Sequence, residues 1–352
     1  MKKLTYTEEF LKRAMDEGRI TEYALAIGYG GEEWLFTSKN VNTDTYFDAA
    51  SLGKIFPTTT LALRAIGDGR LSLDDTLEKF FPDTPDDKKN ITVKQLLTHT
   101  SGMLRREFPD NVAERGRESI AEFILNVPLA YEIGTKYAYC CTGIVLLGFI
   151  VEKVYGMTLD VAFQKCLCEP LGLTRSRYNV ECDEPNAVNC NHDLSVTDIR
   201  RDDYNVKRMR GIPAGPGGNY CTVGDLTKFV KAIMDKDERL YSNEMFELAE
   251  RNYTENLPVL DIKRGAENHG LGFTYVNENC IQARDLFPDG SIGHDGWTGQ
   301  SFYLHRDSGL YVIFLSDARR CAYRLCGDAQ PDTVIALRAE LHKTINKDLR
   351  IK

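Results

Sequence analysis

The chain has 352 residues, of which 42% are hydrophobic and 27% charged. That is the balance of a folded globular protein, long enough for one large domain or two interleaved ones. A formal net charge of -8 and a pI near 5.4, with no block of Lys and Arg, exclude a phosphate-tracking surface, so nucleic acid is not an expected partner. No apolar run approaches the ~20 residues that a membrane-spanning helix needs. Lys2 and Lys3 are not followed by the apolar stretch of a signal peptide. The expected setting is cytoplasmic, with a small molecule or short peptide as partner, and no pattern sets an oligomeric state. Ten cysteines include an adjacent pair, Cys140 and Cys141, and a close pair, Cys166 and Cys168. This spacing does not resemble a framework of disulfide staples, and free thiols in a reducing compartment fit it better. Cys166, Cys168, Cys182, Cys190 and His192 lack the paired Cys-x-x-Cys knuckles of zinc, so neither a metal nor a cofactor is expected.

In chain order, residues 6–18 read as an amphipathic helix with Phe10, Leu11, Ala14 and Met15 on one side. Residues 23–29 and 33–37 read as two strands of a hairpin turned at Gly30-Gly31. A helix apolar on almost every side follows Ser51 and stops at Gly67-Asp68-Gly69. After a short capped segment at 71–77, Pro82 and Pro85 mark a loop. Thr92 is the expected N-cap of a short helix running into His99. Further helices are expected over 119–126, 142–155 and 159–168, the last stopped by Pro170. Residues 175–210 show little periodicity and read as a long polar excursion. A glycine-rich turn at 211–218 precedes a helix over 223–234 capped by Thr222. Three strands at 270–276, 299–305 and 310–316, the last two joined by the turn 306–309, and a helix from about 331 to 347 complete the chain. Strands at both ends with helices between them predict an α+β fold. Its mixed antiparallel sheet, from residues 1–60 and 265–352, would be flanked by helices and interrupted by a mainly helical domain over 61–264.

Ser51 and Lys54 stand three residues apart, which on a helical turn puts a hydroxyl and an amine on one face. A serine hydroxyl needs a neighbour to take its proton before it can attack a carbonyl, and a lysine serves when burial lowers its pKa. The apolar run after Lys54 supplies such burial. Pro57 has no N–H to offer the carbonyl of Gly53, so the helix is expected either to kink or to begin later than Ser51, with the Ser51–Lys54 turn then partly 3₁₀.

Five ordered blocks resemble the serine β-lactamase-like hydrolases, a superfamily of class C β-lactamases, penicillin-binding D-alanyl-D-alanine peptidases, D-aminopeptidases and esterases. They are Phe47-Asp48-Ala49-Ala50-Ser51-Leu52-Gly53-Lys54, the segments 71–75 and 91–102, the segment 134–139, and Gly293-His294-Asp295-Gly296-Trp297-Thr298-Gly299. The resemblance implies that Ser51 is the acylated nucleophile, Lys54 its base partner and Tyr139 the phenol that shuttles a proton to the leaving group. It implies that His294, Asp295 and Gly296 occupy the place of the family's Lys-Thr-Gly or His-Thr-Gly, on an edge strand. The backbone N–H groups of Ser51 and Trp297 would form the oxyanion hole. His192-Asp193 and the glycine turn at 214–218 resemble a further block found in part of the family.

Two positions depart from that pattern. Cys141 stands where the Tyr-x-Asn block has Asn, and a thiol lacks the donor and acceptor of an amide. Asp295 replaces a Thr that meets substrate carboxylates, and an unscreened carboxylate there would repel an anion. Both point away from β-lactams and toward a neutral or cationic ester, or a short amide or peptide with a D-residue. The rival expectations are a β-lactamase or D-Ala-D-Ala carboxypeptidase, a non-catalytic binder of peptides or cell-wall fragments, and a cysteine enzyme using Cys140 or Cys141.

Overall fold

The computed structural model describes residues 2–104, 109–181, 183–191, 194–195, 197–199, 209–260, 268–327 and 331–351. After the N-terminal helix Thr5–Asp16, the strands β1 (Tyr23–Tyr29) and β2 (Glu32–Thr37) form the expected hairpin. Gly30 and Gly31 both take positive φ, at 61° and 81°, as the two central positions of a tight hairpin turn require. The next strands are β3 (Phe47–Asp48), β4 (Arg177–Tyr178), β5 (Asn219–Cys221), β6 (Asn268–His269), β7 (Thr274–Tyr275), β8 (Ile292–Asp295), β9 (Ser301–His305) and β10 (Leu310–Ser316).

Seven of these make one antiparallel sheet in the order β2-β1-β10-β9-β8-β7-β6, with β1 paired to β10 from Tyr23 opposite Ser316 to Gly28 opposite Tyr311. The two ends of the chain therefore share one sheet, and β1 and β10 are covered on both faces. Period-2 alternation decides which residue goes where. Leu25, Ile27, Val312 and Phe314 join Phe10, Leu11, Leu337 and Leu341 of the N- and C-terminal helices in one core. Ala24, Ala26, Ile313 and Leu315 face the other way, against Phe229 and Ile233 of the helix Val223–Met234. That helix begins as expected, with the Thr222 side chain accepting from the N–H of Asp225 at 3.2 Å.

The region between the two groups of sheet strands is mainly helical but also holds β4 and β5, which form a small sheet with β3 in the order β3-β5-β4. Strands of two or three residues offer no alternation to read. β3 leads straight into the Ser51 turn.

Several local expectations differ from what the chain does. Residues 270–276 are not one strand: β6 and β7 pair with each other across Gly270-Leu271-Gly272, and Gly272 adopts φ 83°. β8 is not at an edge but between β9 and β7. Pro170 does not stop its helix; Leu159–Phe163 continues through a π-helical stretch, Gln164–Cys168, to Glu169–Leu171 and ends at Gly172 in a left-handed conformation. The wider π turn accommodates the proline ring. The guanidinium of Arg64 donates to the carbonyl of Cys166, four residues before the proline. Helices Asn243–Ala249 and Ala318–Cys326 were not expected. His192-Asp193 and part of the polar excursion lie outside the described residues. Among the described residues, no helix is long and apolar enough to cross a membrane, and the cysteines are free thiols.

Candidate active site

The residues around Ser51 do not form an ordinary helix. A 3₁₀ segment, Ala50–Lys54, passes into a π-helical segment, Ile55–Thr59, before the α-helix Thr60–Gly67 begins. Pro57 lies inside the π segment, where the missing N–H and the bulk of its ring are best tolerated. The Thr60 hydroxyl donates to the carbonyl of Ile55 at 2.8 Å. Ala50, just before Ser51, is held at φ 47°. A non-glycine residue in that region is strained, and such strain collects at functional sites. The Ala50 N–H donates to the Asp48 carboxylate at 2.8 Å, which helps hold the turn.

On this turn Lys54 Nζ lies 2.9 Å from Ser51 Oγ. The lysine is 1% exposed. Its amine also meets the Pro216 carbonyl at 3.1 Å and stands 4.9 Å from the centre of the Tyr139 ring. Close packing of glycines brings that carbonyl near. A Cβ on Gly53 would come within 2.8 Å of the Gly217 Cα, and a Cβ on Gly215 within 2.2 Å of the Ile144 carbonyl oxygen. The glycine turn thus threads between the nucleophile turn and the helix Cys141–Tyr155.

Tyr139 sits two residues before that helix, with Cys141 as its first residue, buried at 7% exposure. The Tyr139 ring is 4.8 Å from the His99 ring and 6.0 Å from that of His294, so three basic groups surround the phenol. His294 is fully buried on β8, and its Nδ1 donates to the Asp295 carbonyl at 2.8 Å, which assigns the neutral ring an acceptor at Nε2. His99 takes the opposite tautomer: its Nδ1 accepts from the Cys140 N–H at 3.2 Å. His269 lies 4.8 Å from His99 and donates from Nε2 to the Gly272 carbonyl at 3.1 Å. Its Nδ1 stands 3.3 Å from the Tyr137 hydroxyl. Burial pushes the Cys140 thiol up to about 11, which disfavours it as a thiolate nucleophile.

Asp295 does not share this environment. Successive residues of a strand point to opposite faces, and the Asp295 carboxylate is paired with Arg338 at 3.1 Å. The charge is therefore compensated inside the protein, and the repulsion of an anionic substrate expected from sequence loses its basis. Gly296 packs against the nucleophile turn: a Cβ there would lie 3.1 Å from the Ala49 carbonyl oxygen and 3.2 Å from Ala50 Cβ. Trp297, 41% exposed, follows at the rim, and the Arg319 guanidinium stacks 3.5 Å from the centre of its ring.

Ser51, Lys54, Tyr139 and His294 thus form a chain of neighbours, with Gly296 packed against the turn that carries Ser51. His99, His269 and the Pro216 carbonyl belong to the same surroundings and were not singled out from sequence. A signal for His99 existed, since it stands inside the block 91–102; His269 had none. A cavity of about 810 Å³ opens elsewhere, lined by Phe80, Phe81, Leu125, Phe149 and Met157. Its lining does not include Ser51, Lys54 or Tyr139.

Comparison with known proteins places the chain in a family. The Beta-lactamase family model matches residues 7–321, and the chain belongs to this family, whose members make up a serine-hydrolase superfamily. It is 25% identical over 327 residues to a putative D-alanyl-D-alanine carboxypeptidase of Escherichia coli O157:H7, covering 82% of this chain and 73% of that one. Among solved structures, the octameric penicillin-binding protein homologue from Pyrococcus abyssi superposes with a TM-score of 0.69 at 23% identity, over 93% of this chain and 78% of that one. A simvastatin synthase mutant from Aspergillus terreus gives a TM-score of 0.74 at 18% identity, over 98% and 95%.

Proposed function

We propose that the protein hydrolyses a small ester, amide or D-amino-acid-containing peptide through an acyl-enzyme on Ser51. The observation that carries this reading is the 2.9 Å contact between Ser51 Oγ and the buried amine of Lys54. In the reacting state the neutral amine takes the Ser51 proton as Oγ bonds to the substrate carbonyl carbon. The backbone N–H groups of Ser51 and Trp297 stabilise the oxyanion. Tyr139, in contact with Lys54 and close to His294, passes the proton to the leaving group as the carbon–heteroatom bond breaks. Water then attacks the acyl-enzyme by the same route in reverse and returns the proton to Ser51.

Cys141 supports esters over amides, because an amide side chain at that position would hold a substrate amide by two hydrogen bonds. The carboxypeptidase reading is kept as the second one, favoured by the name of the Escherichia coli relative and by the Asp295–Arg338 pair, which leaves no bare carboxylate against an anion. The decisive experiment pairs a fluorophosphonate probe with a substrate panel. The wild type is expected to gain one probe mass and Ser51→Ala none, and short aryl esters and D-amino-acid anilides to be turned over faster than a chromogenic cephalosporin. No labelling of the wild type would leave a non-catalytic binder, whereas a preference for the cephalosporin would sink the ester reading.

A further inference from the structure

Arg338 lies on the C-terminal helix Pro331–Leu349 and is 1% exposed, among the largest side chains buried in the described molecule. One arm of its guanidinium, Nη1, donates to the Asp295 carboxylate at 3.1 Å and to Gln282 Oε1 at 3.0 Å. The other, Nη2, donates to the carbonyls of Gly296 at 2.5 Å and Gln300 at 2.8 Å. These two carbonyls close the turn that carries Trp297: Gln300 also accepts from the Gly296 N–H at 2.7 Å, and Gly296 from the Gly299 N–H at 3.3 Å. The planar fork therefore spans the neck of that turn. A guanidinium needed only to balance Asp295 would have no use for two backbone carbonyls.

The same turn is tied to the nucleophile. Thr298 Oγ1 and Gln300 Nε2 donate to the Asp48 carbonyl at 3.3 and 2.9 Å. Asp48 in turn accepts from the Ala50 N–H at 2.8 Å, one residue before Ser51. The turns bearing the Trp297 and Ser51 amides thus belong to one hydrogen-bonded frame, and Arg338 is its anchor to the distal helix.

We propose that Arg338 is a positioning residue for the oxyanion hole: from behind the sheet, it holds the Trp297 amide in register with the Ser51 amide. The inference rests on the acyl-enzyme reading above. Arg338 touches no reacting atom, so its effect is confined to stabilising the charge that develops on the substrate oxygen. Misplacing a preorganised donor is felt in the transition state more than in substrate binding.

The test measures kcat and KM for an aryl ester, and the affinity of an aryl boronic acid whose tetrahedral Ser51 adduct places an oxygen in the hole. Four proteins are compared: wild type, Arg338→Lys, the double variant Arg338→Met with Asp295→Asn, and Arg306→Lys. Lysine keeps the charge but loses the planar fork, and the double variant leaves no unpaired buried charge. Arg306 is the control, since it grips Glu250 at 2.5 and 2.6 Å and the carbonyls of Ile233 and Met234 at 2.9 and 3.0 Å, at the far end of β9. Both Arg338 variants are expected to lose at least about tenfold in kcat with KM changed less than about threefold, and to lose boronate affinity in parallel. Arg306→Lys is expected to lower Tm and keep kcat within about twofold. Three results would overturn the proposal: kcat retained in both Arg338 variants, a kcat loss without loss of boronate affinity, or an equal kcat loss in Arg306→Lys. A wild type that neither turns over ester nor takes up a fluorophosphonate overturns the acyl-enzyme reading and this inference together. An active wild type with unaffected Arg338 variants overturns this inference alone.

Discussion

The Lys54 amine has three neighbours of different kinds: a hydroxyl, a carbonyl and the face of a phenol ring. The carbonyl orients the amine, and the ring face packs beside it. In the proposed mechanism Tyr139 is the group that passes the proton to the leaving group. Tyr139→Phe keeps the packing against His99 and His294 but removes the hydroxyl, so kcat is expected to fall by about 10²- to 10⁴-fold with little change in KM. Steady-state kinetics on an aryl ester reads this directly, and an equal rise in KM would instead mark Tyr139 as a binding residue. Cys141→Asn restores an amide at the start of the helix Cys141–Tyr155. One or two added hydrogen bonds of about 1 kcal/mol each would raise the ratio of amide to ester turnover roughly tenfold, measured by competing the two substrates. An unchanged ratio would mean that Cys141 does not face the substrate.

The elements that carry the site are short and irregular, and their stability comes from caps and close contacts more than from length. The helix Val93–Leu97, just before His99, has a complete capping box: the Thr92 side chain accepts from the Gln95 N–H, and the Gln95 side chain accepts from the Thr92 N–H. Thr92→Ala is expected to cost about 1 kcal/mol, seen as a drop in Tm with kcat preserved at low temperature. Gly53→Ala is a different case, because its Cβ would meet Gly217 and the Asn219 side chain. That overpacking costs roughly 1–3 kcal/mol and pushes the Pro216 carbonyl away from Lys54. Activity is therefore expected to fall further than the Tm loss accounts for, and a variant with lowered Tm but intact kcat would uncouple the glycine turn from the chemistry.

At the scale of the whole molecule, the C-terminal helix acts through buried polar side chains as well as apolar packing. His342, one turn beyond Arg338, is fully buried between Phe287 and Tyr303, with Nδ1 2.6 Å from the Gln282 carbonyl. Burial, with a smaller contribution from the Arg338 charge, lowers its pKa to about 4. The unfolded chain holds a proton on this histidine below about 6.5, whereas the folded chain does not take one until about 4. The unfolded state thus binds more protons between these values, and stability falls as pH drops through that window, by about 3 kcal/mol in total from this group. Above about pH 6.5 the ring is neutral in both states and contributes no pH dependence. Denaturant melts of wild type and His342→Gln at pH 7.5 and pH 4.5 check this: the variant is expected to lose markedly less stability on acidification, and parallel losses would assign the effect to other groups.

The chain's own pattern was enough to determine the fold class, and it singled out the residues on which the proposed site rests. The β1-β2 hairpin, the long apolar helix before Tyr155 and the 306–309 turn follow from local periodicity and turn residues, which act over a few positions. The Ser51-Lys54 spacing and Pro57 likewise announced an irregular nucleophile turn, because a missing N–H is a property of one residue. Tertiary structure alone decided what lies across from these segments. It put β8 inside the sheet, split 270–276 at Gly272 and brought His269 beside His99. It also turned Asp295 from an expected substrate contact into the partner of Arg338 on a helix far along the chain. A side chain's partner depends on which surfaces meet when the two ends of the chain pair in one sheet, and no periodicity records that meeting. The proposed nucleophile was legible because a hydroxyl and an amine three residues apart are a local pattern, and the frame around Arg338 was not because it is assembled from distant segments.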